Sequence, residues 1–315
     1  MLNYVARRLL LLVFILFGVA LITFLLMHVV PGDHAQLVAT YRYGFDDFST
    51  DELKAVQEDI GADQPLHRQF ILWLNHVLRG DLGYSFISGR PVTAEILARV
   101  PATLELATFS FLITVLIAFP LGIVSARRPY SWLDNIAMVS SLIGVAIPNF
   151  WLGLLLILVF SLTLGLLPVA GSGDLAHLIL PSITLGSGMA AVSTRLIRAS
   201  LLDVLEQDYI ATARSKGLGE GVVFRRHALR NALIPVVTVL GLQLNHLIGG
   251  TVIIETVFAR PGVGKLIVDA IQARDMPVLQ GCVLFLALTF SMINLLVDIS
   301  YAFLDPRIRY GGGQR

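Results

Sequence analysis

Few residues in this chain have the types and spacing that chemistry needs. Seven histidines stand at His28, His34, His67, His76, His177, His227 and His246. A helical metal site needs two of them four apart on one face, and no pair has that spacing. No metal ligand set is therefore assigned. His246, in the middle of an apolar run, reads more simply as a hydrogen-bonded histidine inside a helix bundle. The single Cys282 excludes an internal disulfide and reads as a small apolar side chain. Gly171-Ser172-Gly173 is a turn signal rather than a nucleophile site, and the Ser–His pattern of an intramembrane protease is absent. A phosphate-binding loop is missed twice: Leu266 follows Gly264-Lys265, and Ala259 stands where its first glycine belongs. No residue is assigned a catalytic role.

A second set consists of polar residues inside apolar runs, where they are costly and face either a cavity or another helix. Gln243, Asn245 and His246 lie together. Gln243 and His246 share a helix face, and Asn245 points about 200° away from Gln243. Gly249-Gly250 beside them allows close helix approach or a local break. Two readings fit this group: lining of a translocation pathway, or hydrogen bonding between helices. Asn149 and Trp151, next to Pro148, are weaker candidates for the same lumen. Glu105 reads as structural. Glu255, followed by the turn Pro261-Gly262-Val263-Gly264, belongs among the pathway candidates.

The third set is a basic stretch, Arg195–Arg230, with seven Lys and Arg. Its centre, Asp208-Tyr-Ile-Ala-Thr-Ala-Arg-Ser-Lys-Gly217, spells a short helix ended by glycine. Ala211 and Ala213 would let a partner's surface approach the backbone, while Arg214, Lys216, Arg225 and Arg226 could pair with its carboxylates. Asp208, Ala211, Ala213, Arg214, Lys216 and Gly217 are the candidate contact residues. A loop that is basic only to satisfy membrane topology is the plainer alternative.

The elements that must position these residues are membrane spans. Of 315 residues, 56% are hydrophobic and 14% charged, against about 25% charged in soluble domains. The net charge of +1 gives no field for nucleic acid. A crossing needs about 20 apolar residues. Runs of that kind occur at Leu9–Val30, about Pro101–Ala126, Leu133–Leu167, Ile179–Leu202, Ala232–Val257 and Val278–Leu304. The first is too long for a secretory signal and lacks a small-x-small cleavage site, so it is expected to stay as an anchor. The third is too long for one straight crossing, and Pro148 predicts a kink or a break. With six crossings and a cytoplasmic start, segments 1–8, 126–132, 195–230 and 305–315 lie inside. They hold 14 basic residues in 62 positions, against nine in 90 for the outer segments 31–100 and 258–277. The positive-inside rule then puts both termini in the cytoplasm.

The outer segment 31–100 is structured. Ser49-Thr50-Asp51-Glu52 is a capping box, opening a helix that Gly61 would end. A second amphipathic helix is expected over Pro65–Arg79, with Phe70, Leu72, Trp73, Leu74, Val77 and Leu78 for a membrane or bundle surface. Segment 258–277 is a candidate re-entrant gate. The expected organisation is a cytoplasmic end and first span (1–30), an outer segment (31–100), a core transmembrane domain (101–304, with a cytoplasmic loop at about 203–230) and a cytoplasmic tail (305–315). The fold class is all-α, a polytopic membrane helical bundle of about six transmembrane helices.

The basic loop resembles the coupling-helix motif of binding-protein-dependent ABC importer permeases. There a Glu-Ala-Ala run is followed three residues later by glycine. Ala211-Thr212-Ala213 and Gly217 occupy those places, without the acid and with Ile234-Pro235 further downstream. Tyr209-Ile-x-x-Ala-Arg-x-Lys-Gly-Leu218 and His227-x-Leu-Arg-Asn-x-Leu-x-Pro235 resemble the peptide/nickel branch. So do Tyr4-Val-Ala-Arg-Arg-Leu-Leu, Pro31-Gly-Asp33, Pro101-Ala-Thr-Leu-Glu-Leu-Ala107, Pro148-Asn-Phe-Trp151, Gly249-Gly-Thr251, Glu255-Thr-Val-Phe258, Pro261-Gly-Val-Gly264 and Leu304-Asp-Pro-Arg-Ile-Arg309. The resemblance implies the ABC type I importer permease fold in a bacterial inner membrane, in contact with lipid. It also implies a second homologous permease, two cytoplasmic ATPases that bind ATP and Mg, and a periplasmic or lipid-anchored substrate-binding protein, with no cofactor in this chain. The implied activity is import of di- or oligopeptides by alternating access, with nickel or a nickel chelate as the alternative cargo. An intramembrane enzyme or a stand-alone channel is the alternative from another class.

Overall fold

The computed structural model describes residues 2–29, 35–36, 39–40, 49–60 and 64–304. Pro31-Gly-Asp33, His34, Gly61 and the tail 305–315 lie outside the described residues. Among the described residues the principal helices are α1 Leu2–Val29, α2 Thr50–Ile60, α3 Leu66–Leu78, α4 Val92–Arg127, α5 Trp132–Ala146, α6 Asn149–Leu156, α7 Ala176–Leu205, α8 Asp208–Ser215, α9 Arg230–Val257, α10 Val263–Ala273 and α11 Met276–Leu304. Among the described residues, five helical stretches are long and apolar enough to cross a membrane: Ala6–His28, Val92–Arg127, Ala176–Leu205, Glu220–Val257 and Met276–Ile299. Trp132–Ala146 and Asn149–Thr163 form a sixth if the bent pair is one span.

Pro148 breaks that span with a bend of 106°. It stands in extended conformation as the residue before α6, where a proline cannot continue the preceding helix. Past α6 the backbone widens into the π-helical segment Ile157–Thr163. Elsewhere proline does not end the helix: Pro101 and Pro120 lie within α4. The helix that holds the expected span Pro101–Ala126 therefore begins earlier, at Val92. Charges in the first turns hide the true start from a hydropathy reading. Glu95 there is buried and paired with Arg99 one turn on and with Arg90.

The chain divides into two compact units. The first comprises Met1–Pro101 and Pro261–Met292. Within it, the capping box at Ser49 forms as its residue types predict: the Ser49 amide donates to Glu52 Oε2 at 2.7 Å, and the Glu52 amide donates to Ser49 Oγ at 3.3 Å. α3 sets Phe70 and Trp73 against Phe24 of α1, with ring centroids 5.3 and 5.6 Å apart. The stretch 258–277 contains the amphipathic helix α10. It packs Val263, Leu266 and Ala270 with Val92, Ile96, Val278 and Cys282. Asp275 accepts from Ser85 Oγ at 2.5 Å and from the Phe86 amide at 3.1 Å, pinning the turn around Gly83–Pro91.

The second unit comprises Ala102–Arg260 and Ile293–Arg315. Its centre is α7, packed against α5, α6 and α9. Small residues make this closeness possible. A Cβ on Gly186 of α7 would stand 2.6 Å from the Ser110 carbonyl of α4, and one on Gly122 would stand 2.7 Å from Ile197. One apolar cluster gathers Leu106, Leu180, Leu185, Leu247, Ile254 and Phe258, and another gathers Ala118, Ile197, Leu201, Ala232 and Val236.

Candidate functional site

The basic stretch is almost wholly helical rather than a loop. α7 continues through Leu205, α8 follows after Glu206-Gln207, and Glu220–Leu229 runs through a π-helical segment into α9. Asp208 opens α8, where a carboxylate favours the helix dipole. Gly217 ends it with φ +78, and its amide donates to the Arg214 carbonyl at 2.9 Å. Nothing lies within 4 Å of a Cβ built on Gly217. The glycine is there for its backbone angle, not for space.

The two alanines separate. Ala211 is exposed, whereas Ala213 is buried with Ile210, Val223 and Ala228. Ala213 therefore does not offer a small surface to a partner, because the chain's own apolar cluster covers it. Arg214 likewise has an internal partner, its Nε donating to Glu220 Oε1 at 2.7 Å. That pair ties α8 to the segment after it. Lys216, Arg225 and Arg226 are exposed, and the two arginines line an open groove with Gly219, Gly221 and Val222. Asn231 Nδ2 donates to the Tyr209 hydroxyl at 3.1 Å, fastening α8 to the start of α9. The result is a short exposed helix held by the segments that follow it, with Lys216 exposed at its end and Arg225 and Arg226 lining the groove beyond.

The candidate pathway residues do not share one surface. Gln243 is buried and accepts from Ser193 Oγ at 3.1 Å, joining α9 to α7. His246 is exposed, although it lies three residues further on; α7 covers only one strip of α9. Asn245 donates to Asn294 Oδ1 of α11 at 2.6 Å, and its own Oδ1 is buried without a hydrogen-bond partner. Asn149, at the broken span, comes so near α7 that a Cβ on Gly188 would meet its Oδ1 at 3.3 Å. Trp151 is exposed.

Glu255 is fully buried and accepts from Thr103 Oγ1 at 2.6 Å. Close by stands Arg260, whose side chain is only 2% exposed. It reaches Glu105 Oε2 and the His177 carbonyl, each at 3.4 Å. Burial pulls the Arg260 guanidinium below its ordinary pKa, and Glu105 and Glu255 pull it back up; an arginine keeps its charge under such opposition. Glu105, more than half exposed, is thus a partner of the buried Arg260. Arg260 itself was not legible, because its partners lie far away in sequence. The same is true of Asp134 and Arg198, a fork-shaped pair at 2.6 and 2.8 Å between α5 and α7. Among the described residues, no three His, Cys, Asp or Glu are grouped to hold a metal ion.

Residues 118–310 match the family described as "binding-protein-dependent transport system inner membrane component", and residues 1–107 match its N-terminal component. The chain belongs to this family. It is 45% identical over 310 residues to the "Glutathione transport system permease protein GsiC" of Salmonella choleraesuis (strain SC-B67), covering 98% of this chain and all of that one. It is 44% identical to the protein of the same name from Escherichia coli (strain K12), over the same shares. Among solved structures, an inward-facing MetNI methionine ABC transporter superposes with a TM-score of 0.56 at 19% identity, over 67% of this chain and 96% of that one. An amino acid ABC transporter with histidines gives 0.53 at 17%, over 67% and 94%. These two show the fold alone. The chain is a multi-pass inner-membrane permease of the peptide/nickel branch of ABC importers, a transport component rather than an enzyme. Membership implies an ATPase and a substrate-binding protein as partners.

Proposed function

We propose that this permease carries peptides of two to a few residues, glutathione-like tripeptides among them, into the cytoplasm by alternating access driven by partner ATPases. The observation that carries this reading is the end-to-end likeness to permeases named for glutathione transport. Glutathione is itself a tripeptide, so cargo of that class suits the branch better than a metal ion. The geometry supports the coupling half of the reading. α8 is exposed, closed by Gly217 and rimmed by Lys216, Arg225 and Arg226, a shape and charge suited to an acidic groove on an ATPase. In this reading α8 and both termini face the cytoplasm, and the 31–100 segment receives the binding protein outside. A second, homologous permease completes the pathway, to which the exposed His246 and Asn149 at the break contribute, while Asn245 and the buried Glu255 hold helices beside it.

The test is uptake into proteoliposomes by the complex assembled from this chain, its partner permease, ATPases and binding protein. Labelled glutathione, a dipeptide and Ni²⁺ are offered separately with ATP. Peptide uptake without Ni²⁺ uptake is expected. Uptake of Ni²⁺ alone would overturn the cargo assignment.

A further inference from the structure

We propose that the Asp134–Arg198 ion pair is the positioning element that carries movement of α8 into the broken span α5–α6. The pair is bidentate, with Arg198 Nε and Nη2 donating to the two Asp134 oxygens at 2.6 and 2.8 Å. Asp134 is 1% exposed and Arg198 19%. Charges placed inside a bundle are expensive, and a buried pair adds little net stability compared with apolar packing. Its use is to fix one geometry.

The same carboxylate accepts from the Tyr130 amide at 2.8 Å, and Ser131 caps α5 by accepting from the Asp134 amide. Asp134 therefore fixes the α4–α5 turn and α7 at once. Arg198 stands two turns before the end of α7, and α8 starts three residues beyond that end. On the far side of α8, Phe224 lies 5.0 Å under the Arg127 guanidinium at the end of α4. Both segments flanking α8 are thus clamped to the one turn, Arg127–Ser131. From there α5 follows α7 closely. A Cβ on Gly144 would be 3.3 Å from Ala191, and Asn149 abuts Gly188 past the break. A displacement of α8 has a packed route to the hinge at Pro148, and its only buried charge contact is this pair among the described residues.

This rests on α8 being the ATPase-coupling helix, so its test has a separate arm for that reading. The full complex carries Cys282→Ser and a reporter, Phe150→Cys, just past the break. Labelling by a membrane-impermeant maleimide is compared without nucleotide and after trapping with ADP and vanadate. With the pair intact, a change of about tenfold is expected. Asp134→Asn should leave the ATPases bound and hydrolysing while abolishing most of that change. Reversal of both charges, Asp134→Arg with Arg198→Asp, should restore it. Arg198→Lys keeps the charge, loses the fork and should give an intermediate response; it carries the test if Asp134→Asn does not assemble. An undiminished response in either single variant, a reversal that assembles without restoring it, or no response with the pair intact would overturn the proposal. Separately, undiminished ATPase binding by Gly217→Val would sink the α8 reading while leaving the pair's effect readable.

Discussion

At the scale of single residues, the permease spends charge in a few buried places. Arg260 is the clearest, held beside Glu255 and Glu105 with its side chain 2% exposed. Arg260→Ala should cost roughly 3–5 kcal/mol, because the buried Glu255 loses its cation. Glu105 is 57% exposed, so Glu105→Gln should cost about 1 kcal/mol or less. Thermal unfolding of the detergent-solubilised protein reads both, and equal losses would contradict this account. Gly217 is the opposite case, a position of backbone necessity with open space around it. Gly217→Val should cost about 1–2 kcal/mol, confined to the end of α8. Faster proteolysis between Ser215 and Glu220 with an unchanged melting temperature is the expected signature.

At the scale of elements, local signals were legible and distant ones were not. The capping box at Ser49, the break at Pro148 and the glycine stop at Gly217 each depend on residues within a few positions, and each formed as read. The helical turns of α4 before Pro101 do not show in a hydropathy reading, because Glu95 and Arg99 look like solvent-exposed charges until their pairing one turn apart is seen. Arg198 looked like one more positive-inside residue, since nothing in sequence marks a partner 64 positions away. Ala213 carried the same small-residue signal as Ala211, and only packing tells a covered face from a free one. Helix spacing gives a sharper prediction. A Cβ on Gly186 would strike the Ser110 backbone carbonyl at 2.6 Å, whereas one on Gly250 would meet only the flexible end of Leu185 at 2.6 Å. Gly186→Ala should cost several kcal/mol, roughly 2–4, and Gly250→Ala about 1 or less. Yield of folded, monodisperse protein and its melting temperature should separate the two.

At the scale of the whole molecule, the family is established and the orientation is a proposal. Lys216→Cys should react with an impermeant thiol reagent only in inside-out vesicles, and Arg90→Cys only in right-side-out ones, each in a Cys282→Ser background. The reverse pattern would invert the topology and remove α8 from the cytoplasm. The central claim is that an exposed helix of this chain takes ATPase work and turns it into peptide import. The most direct measurement is ATP-dependent uptake of labelled glutathione by the reconstituted complex, with α8 intact and with Lys216→Glu and Gly217→Val combined. The account predicts robust uptake with α8 intact and, with α8 altered, loss of both uptake and ATPase association. Uptake that persists with α8 altered, or that proceeds without the ATPases, would contradict it.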